Sequence, residues 1–323
     1  MLLPPDRALH HAWDAAETLP EHVVLTHLSG AVAREWWTPP LPEGLPIYVA
    51  TTWVAAPPQG QGVRAYRHRD VPAYDLIDGL RVSKPAEILL TCARELSLLD
   101  MVILLDGAIN AGVDLEGVRR AARRMRGAPA LRRAIEYADP RSESAWETVL
   151  RLFHDAVDVP VTSQYDVYAE DGAWIARGDL WLRGTRTIHE YDGGGHREVS
   201  SHRNDLRRDR ALANAGWTRR GYVADDVTVR FRSVLQDCDV ALKREHDPRR
   251  LAAWSDLIGP SLFSPTGRQQ YLESLTRPRT RAGASDAMAR ETEAWCGVSR
   301  RRLAGGAFSS PLGNPANPHQ GAA

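Results

Sequence analysis

Trp174-Ile175-Ala176-Arg177-Gly178-Asp179-Leu180-Trp181-Leu182, then an Arg183-Gly184 break, then Arg186-Thr187-Ile188-His189-Glu190-Tyr191-Asp192-Gly193-Gly194-Gly195-His196: the fold turns on this stretch. Both runs are rich in aromatic, β-branched and apolar residues, so they predict two strands, over residues 174–182 and 186–191, paired as a hairpin. Side chains alternate faces along a strand, which sends Glu190 and Asp192 one way and His189 and Tyr191 the other. Asp179 is expected to face the two acids across the hairpin, since an aspartate inside an apolar strand is out of place without a partner. Three carboxylates gathered at the end of a sheet repel one another unless a cation sits among them. Their hard oxygen donors suit Mg²⁺ or Mn²⁺, so Asp179, Glu190 and Asp192 are the expected metal ligands.

Residues on either side fit the same picture. Residues 142–156 predict a helix with Ser142 as N-cap and with Trp146, Val149, Leu150 and Phe153 on its apolar face. Glu147 sits at the rim of that face, either as a metal-site carboxylate or as a surface glutamate. The glycines after Asp192 read as a turn, and His196 beyond them as an acid, base or phosphate donor, or as an ordinary loop histidine. Residues 201–215 predict a second helix, mixed in charge, with Arg203, Arg207 and Arg210 along one side. Such a run is usually a solvated face; here it also offers guanidinium groups to phosphates.

Taken in order, the segment from Ser142 to Arg151, Asp179, Glu190-x-Asp192-Gly193-x-x-His196, and Asp205-x-x-Arg208-x-x-x-Leu212-x-x-x-Gly216-Trp217 resemble a known domain. It is the domain related to very-short-patch-repair endonucleases, a branch of the PD-(D/E)XK superfamily, and the likeness covers about residues 140–245. The resemblance implies a restriction-endonuclease-like α-β-β-β-α-β-α domain that cuts DNA. It makes Asp179 and Glu190 metal ligands, brings Glu147 in from the first helix, and places His196 near the scissile phosphate. Arg197, Arg203, Arg207 and Arg208 become candidate DNA contacts, with Arg208 and Asp205 also expected to brace the core. Asp192 stands where the superfamily usually carries a lysine, and the chain holds only Lys84 and Lys243, both far from the motif. Water activation therefore falls to the metal, to Asp192 or to His196.

The rest of the chain sets the context. At 323 residues there is room for two ordinary domains, each with its own core. Lys plus Arg and Asp plus Glu balance at 41 each, so attraction to nucleic acid has to be local. The densest basic patch, Arg119, Arg120, Arg123, Arg124 and Arg126, reads either as an exposed helix face or as a stripe along a DNA backbone. Cys92, Cys238 and Cys296 are odd in number and widely spaced, which argues against a disulfide framework and against a zinc site. With no signal sequence and no membrane-spanning run, the expected location is the cytoplasm.

Residues 6–37 predict helix, ended by Pro39-Pro40, and short strands are expected at 47–53, 63–66 and 80–82. Helices are expected from Pro85 to about Tyr137, then at 247–258 and 269–275. Val24-Leu25-Thr26-His27-Leu28-Ser29-Gly30-Ala31 and the stretch 80–111 resemble the AbiEi-type region of abortive-infection type IV antitoxins, over roughly residues 15–115. Relatives of that kind often open with a DNA-binding winged helix; the expectation here is either a late start at Met1 or a protein without that module, and the resemblance implies a toxin-like nucleotidyltransferase as a partner.

The expected fold is therefore mixed α/β. Residues 1–138 form an AbiEi-like α/β and helical domain, 139–245 the endonuclease-like domain, 246–275 a helical extension and 276–323 a disordered tail. The functional expectation is a Mg²⁺- or Mn²⁺-dependent DNA endonuclease in phage defence or repair. The alternatives are a catalytically inactive DNA-binding or antitoxin-like regulator and an interaction scaffold.

Overall fold

A computed structural model describes residues 20, 22–53, 62–70, 72–193 and 199–276, with the backbone alone at 199–204. His196, Arg197, the side chain of Arg203 and the tail from 277 onward lie outside the described residues, so the expectations placed on them stand where the sequence left them. Within the described residues the chain is mixed α/β, with eleven α-helices and two mixed sheets.

The first sheet comprises β1 (Val24–Leu25), β2 (Ile47–Thr52), β3 (Val63–His68), β4 (Tyr74–Ile77) and β5 (Leu80–Ser83), in the order β3-β2-β1-β5-β4. Helix α1 (His27–Ala33) follows β1. Residues 24 and 25, expected to be helical, form a strand instead. Val24 pairs with Ala50, and Leu25 with both Val49 and Val82, at the centre of the sheet. A pair of buried apolar residues satisfies either periodicity, and only the tertiary pairing decides. Strand β4 was not expected: Tyr74-Asp75-Leu76-Ile77 is only four residues long and broken by Asp75, too short a run to announce a strand.

Four helices come next: α2 (Pro85–Cys92), α3 (Leu98–Asn110), α4 (Leu115–Ala121) and α5 (Ala128–Ile135). Pro85 opens α2 in the first turn, where its missing N–H costs nothing. Helix α3 is buried from Leu98 to Ala108, as its apolar residues on every side require.

The second sheet is preceded by α6 (Ala145–Ala156) and comprises β6 (Val161–Tyr168), β7 (Trp174–Leu182), β8 (Thr187–Tyr191) and β9 (Thr218–Tyr222), in that order. The first three strands run antiparallel, while β8 and β9 are parallel and joined by α7 (Val199–Asn214), as a parallel pair requires a crossover. Ser144, not Ser142, caps α6: its Oγ accepts from Glu147 N at 3.2 Å. Helices α8 (Ala224–Thr228), α9 (Phe231–Ala241), α10 (Leu251–Ile258) and α11 (Pro265–Thr276) complete the order, with a short 3₁₀ turn, Pro248–Arg250, leading into α10.

One contiguous apolar cluster extends from Val23 to Tyr271. It joins Leu99 and Leu104 of α3 to Val149 and Phe153 of α6, to Leu180 and Leu182 of β7 and to Trp254 of α10. A smaller cluster, Val167, Ala176, Ile188 and Leu212, packs α7 on the second sheet. The expected boundary at 138/139 is crossed by buried polar bonds as well. Asp106 accepts from Arg151 Nη2, Thr148 Oγ1 and Asp139 N, each at 2.8 Å, and Arg151 Nη1 donates to Tyr137 O at 2.8 Å. Helix α11 returns to the first sheet, where the Tyr271 and Tyr48 hydroxyls lie 2.8 Å apart. Among the described residues no helix is long and apolar enough to cross a membrane.

Candidate functional site

The β7–β8 ladder is registered at Trp181↔Ile188 and Leu180↔His189, and one step further along that register Asp179 comes beside Glu190. There the regular ladder gives way, and the backbone N–H of Tyr191 donates to Asp179 Oδ2 at 3.0 Å. On the other side of β7 the distortion continues. Gln164 lies between the pairs Ser163↔Leu180 and Tyr165↔Gly178 and takes a φ of 52°. A left-handed non-glycine residue inside a strand is a strained geometry, of the kind that re-aims side chains near functional sites. Gln164 Nε2 donates to Glu147 Oε2 at 2.8 Å, which ties the start of α6 to this level of the sheet.

Four carboxylates thus occur in one neighbourhood, in two electrostatic situations. Asp179 and Glu147 form no ion pair among the described residues: Asp179 is met by the Tyr191 N–H, and Glu147 by Gln164 and by Glu143 N at 2.9 Å. Burial, reinforced by the negative charges of Glu147 and then Glu190, pushes the Asp179 carboxyl up to about 7.

Glu190, 4% exposed, is instead gripped by arginines. Arg208 of α7 binds both of its oxygens, Nη1 reaching Oε2 at 3.1 Å, while Arg219 Nε of β9 donates to Oε2 at 2.5 Å. Arg219 Nη2 continues to Asp192 Oδ1, also at 2.5 Å. Burial works to lower the Arg219 guanidinium, but its hydrogen bond to Glu190 and the charges of Glu190, Asp192 and Asp209 more than offset that and raise it. Asp192 occupies room that Gly221 leaves open: a Cβ at 221 would stand 1.8 Å from Asp192 Oδ2.

The expected convergence of Asp179, Glu190 and Asp192 around an ion is therefore not drawn tight. Among the described residues, the set of three ligand-type side chains whose donor atoms all lie within 4.8 Å of one another is His154, His189 and Cys238, not the carboxylates. Arg208, expected at DNA or against Asp205, spends its guanidinium on Glu190 and on Arg177 O, the latter at 2.7 Å. Arg207 and Arg210 are exposed on α7. In the other basic patch Arg119 pairs with Glu116, and Arg120 with Asp114 at 3.5 Å.

Two participants escape a reading along the chain. Arg219 sits in Thr218-Arg219-Arg220-Gly221-Tyr222, whose polar character hides a strand, and its place follows only from the parallel register Ile188↔Arg219. Gln164 needs the bend in β6 to reach Glu147. His189, expected on the face opposite Glu190, is fully buried with His154 Nε2 2.9 Å from its Nδ1. Comparison with family models, with curated proteins and with solved structures gives no match.

Proposed function

We propose that this protein is a metal-dependent DNA endonuclease acting at the face formed by Asp179, Glu190 and Glu147. The observation that carries the reading is the meeting of Asp179 with Glu190 across the β7–β8 hairpin, with Glu147 close by at the start of α6. The order α6-β6-β7-β8-α7-β9-α8 agrees with the α-β-β-β-α-β-α order of the nuclease resemblance.

The donor set fits a hard divalent ion where Asp179, met only by a neutral donor, feels the charges of Glu147 and Glu190. Mg²⁺ or Mn²⁺ would be held by Asp179 and Glu190, with Asp192 and Glu147 in support. Its chemistry there would be to polarise a phosphodiester and acidify water. The chain's own work is to orient that ion and to move protons through Asp192 or His196. Arg208 and Arg219 hold Glu190 and Asp192 now, and a phosphodiester competes for the same guanidinium groups. Arg207 adds an exposed guanidinium on α7, and Arg197 and Arg203 remain candidate DNA contacts on the sequence resemblance alone.

Purified protein should cut supercoiled, linear duplex or single-stranded DNA with Mg²⁺ or Mn²⁺, and Asp179→Ala and Glu190→Ala should each lose at least 100-fold in rate, on the order of one lost charge-stabilising contact. Absence of cleavage across all three substrates and both ions, or cleavage that survives in both variants, overturns the proposal.

A second reading has one observation in its favour, the arginine grip on Glu190 and Asp192. In it the nuclease-like face is a catalytically inactive DNA-binding or antitoxin-like surface, associated with a toxin-like nucleotidyltransferase. Tight, metal-independent DNA binding without cleavage would decide for it.

A further inference from the structure

On the side of β8 away from Glu190, three elements bring together side chains that the proposed nuclease face does not use. His154 of α6, His189 of β8 and Cys238 of α9 are each 0% exposed, and their ligand atoms all lie within 4.8 Å of one another. The hydrogen-bond pattern around them is unbalanced without a cation. His154 Nδ1 lies 2.7 Å from Leu150 O, a carbonyl that can only accept, so the proton is on Nδ1 and the lone pair on Nε2. His189 Nδ1 stands 2.9 Å from that lone pair and has to donate to it. This leaves His189 Nε2 as an acceptor, 3.4 Å from the Tyr222 hydroxyl. The single proton of Tyr222 is already directed at Asp237 Oδ2, 3.0 Å away. One hydroxyl proton thus faces two acceptors in a buried site, where an unmet polar atom is costly.

We propose that His154 Nε2, His189 Nδ1 and Cys238 Sγ form a three-ligand site for a borderline transition-metal ion, Zn²⁺ in the first instance, with a water to complete the tetrahedron. On binding, the Cys238 thiol proton leaves to solvent and the His189 proton moves from Nδ1 to Nε2. His189 then donates to Tyr222, which donates to Asp237, while His154 keeps its bond to Leu150 O. Each ligating imidazole thereby has its outer nitrogen on an acceptor, the usual support for a metal-bound histidine. The inner nitrogens need to part only from 2.9 Å to about 3.3 Å, the separation set by tetrahedral Zn–N bonds of about 2.0–2.1 Å. The Asp237 carboxylate behind Tyr222 sets a negative charge against the remaining positive one and is shared with Arg220, whose Nε lies 3.9 Å from its Oδ1. Sequence spacing gives no hint of such a site, because the three ligands are 35 and 49 residues apart and come from separate elements.

The test uses the full chain carrying Cys296→Ser, which leaves Cys92 and Cys238 as the only thiols. Purified without chelator, it should hold one zinc per chain by elemental analysis. After stripping it should take up one Co²⁺ with a thiolate-to-cobalt charge-transfer absorption. That absorption should vanish in Cys238→Ala and persist in Cys92→Ser, and Tyr222→Phe should weaken zinc binding about tenfold through the lost outer bond. Failure to take up zinc or cobalt overturns the site. So does cobalt uptake without the thiolate band, or a band that survives Cys238→Ala. If Cys238→Ala does not fold, the spectrum of the parent chain and of Cys92→Ser still decides. None of these readouts depends on DNA cleavage.

Discussion

Glu190 and Asp179 are neighbours of like charge that are neutralised by different means. Glu190 lies between two guanidinium groups, and its burial makes that grip necessary, since an unpaired buried carboxylate costs several kcal/mol. Arg219→Ala leaves Arg208 on Glu190 but strips one charged hydrogen bond from Glu190 and one from Asp192. The expected loss is about 2 kcal/mol of unfolding free energy, read from urea titration. Arg219→Lys should recover only part of it, because a point charge cannot bridge two carboxylates as the guanidinium fork does. An unchanged midpoint in Arg219→Ala would show that the pairing contributes nothing to the fold.

At the scale of elements, the hairpin and the crossover fix the site. Gly178 of β7 lies against the Ile188 side chain of β8, and a Cβ there would lie 2.9 Å from Ile188 Cδ1 and 3.1 Å from Ile188 Cβ. Gly178→Ala therefore overpacks the small cluster beneath α7 and should cost about 1–3 kcal/mol, seen as a lower urea midpoint with unchanged slope. The β7–β8 hairpin was legible in the sequence because its two runs are apolar and aromatic and broken once, at Arg183-Gly184. So was α6, through Trp146, Val149, Leu150 and Phe153 on one side. Strand β9 was not legible, since Arg219 and Arg220 fill positions where a strand usually shows apolar residues. Strand β1 was misread because two buried residues carry too little pattern to separate strand from helix. The Asp179–Glu190 meeting followed from strand pairing and Arg208 was marked as a bracing residue, whereas Arg219 reaches Glu190, 29 residues away in sequence, through the parallel β8–β9 register, which no local pattern encodes.

Across the whole molecule, buried polar bonds tie the C-terminal helices to the middle of the chain. Asp100, in the first turn of α3, accepts from Ser261 Oγ at 2.6 Å, from Leu262 N at 3.1 Å and from Ser97 Oγ at 2.8 Å. Burial still pushes its carboxyl up from 3.8 to about 6, the hydrogen bonds from Ser261, Leu262 and Ser97 offsetting only part of the rise. A folded value above the unfolded one means that the stabilisation linked to this group is fully present below about pH 4 and is lost as the pH rises through 6. The Tm of the wild type should thus decline between about pH 4 and 7 relative to that of Asp100→Asn, whose amide does not titrate. Parallel pH profiles for the two proteins would contradict this. Asp100→Ala, which leaves the Ser261 and Leu262 donors unmet, should cost about 2–3 kcal/mol at neutral pH and expose residues 262–276 to proteolysis first.

The larger apolar cluster holds residues on both sides of 138/139, and buried polar bonds cross the same point. Asp106, Thr148 and Arg151 bond across it in a buried cluster, and Arg151→Met should cost about 3 kcal/mol by stranding Asp106. The central claim, that Asp179 and Glu190 with Glu147 receive a hard divalent ion, is most directly tested by calorimetric titration of Mn²⁺ into wild type and Asp179→Asn. One saturable site in the wild type, weakened at least tenfold in the variant while the fold persists by circular dichroism, is the predicted result. Equal affinity in the two proteins, or no Mn²⁺ binding by the wild type, would contradict it.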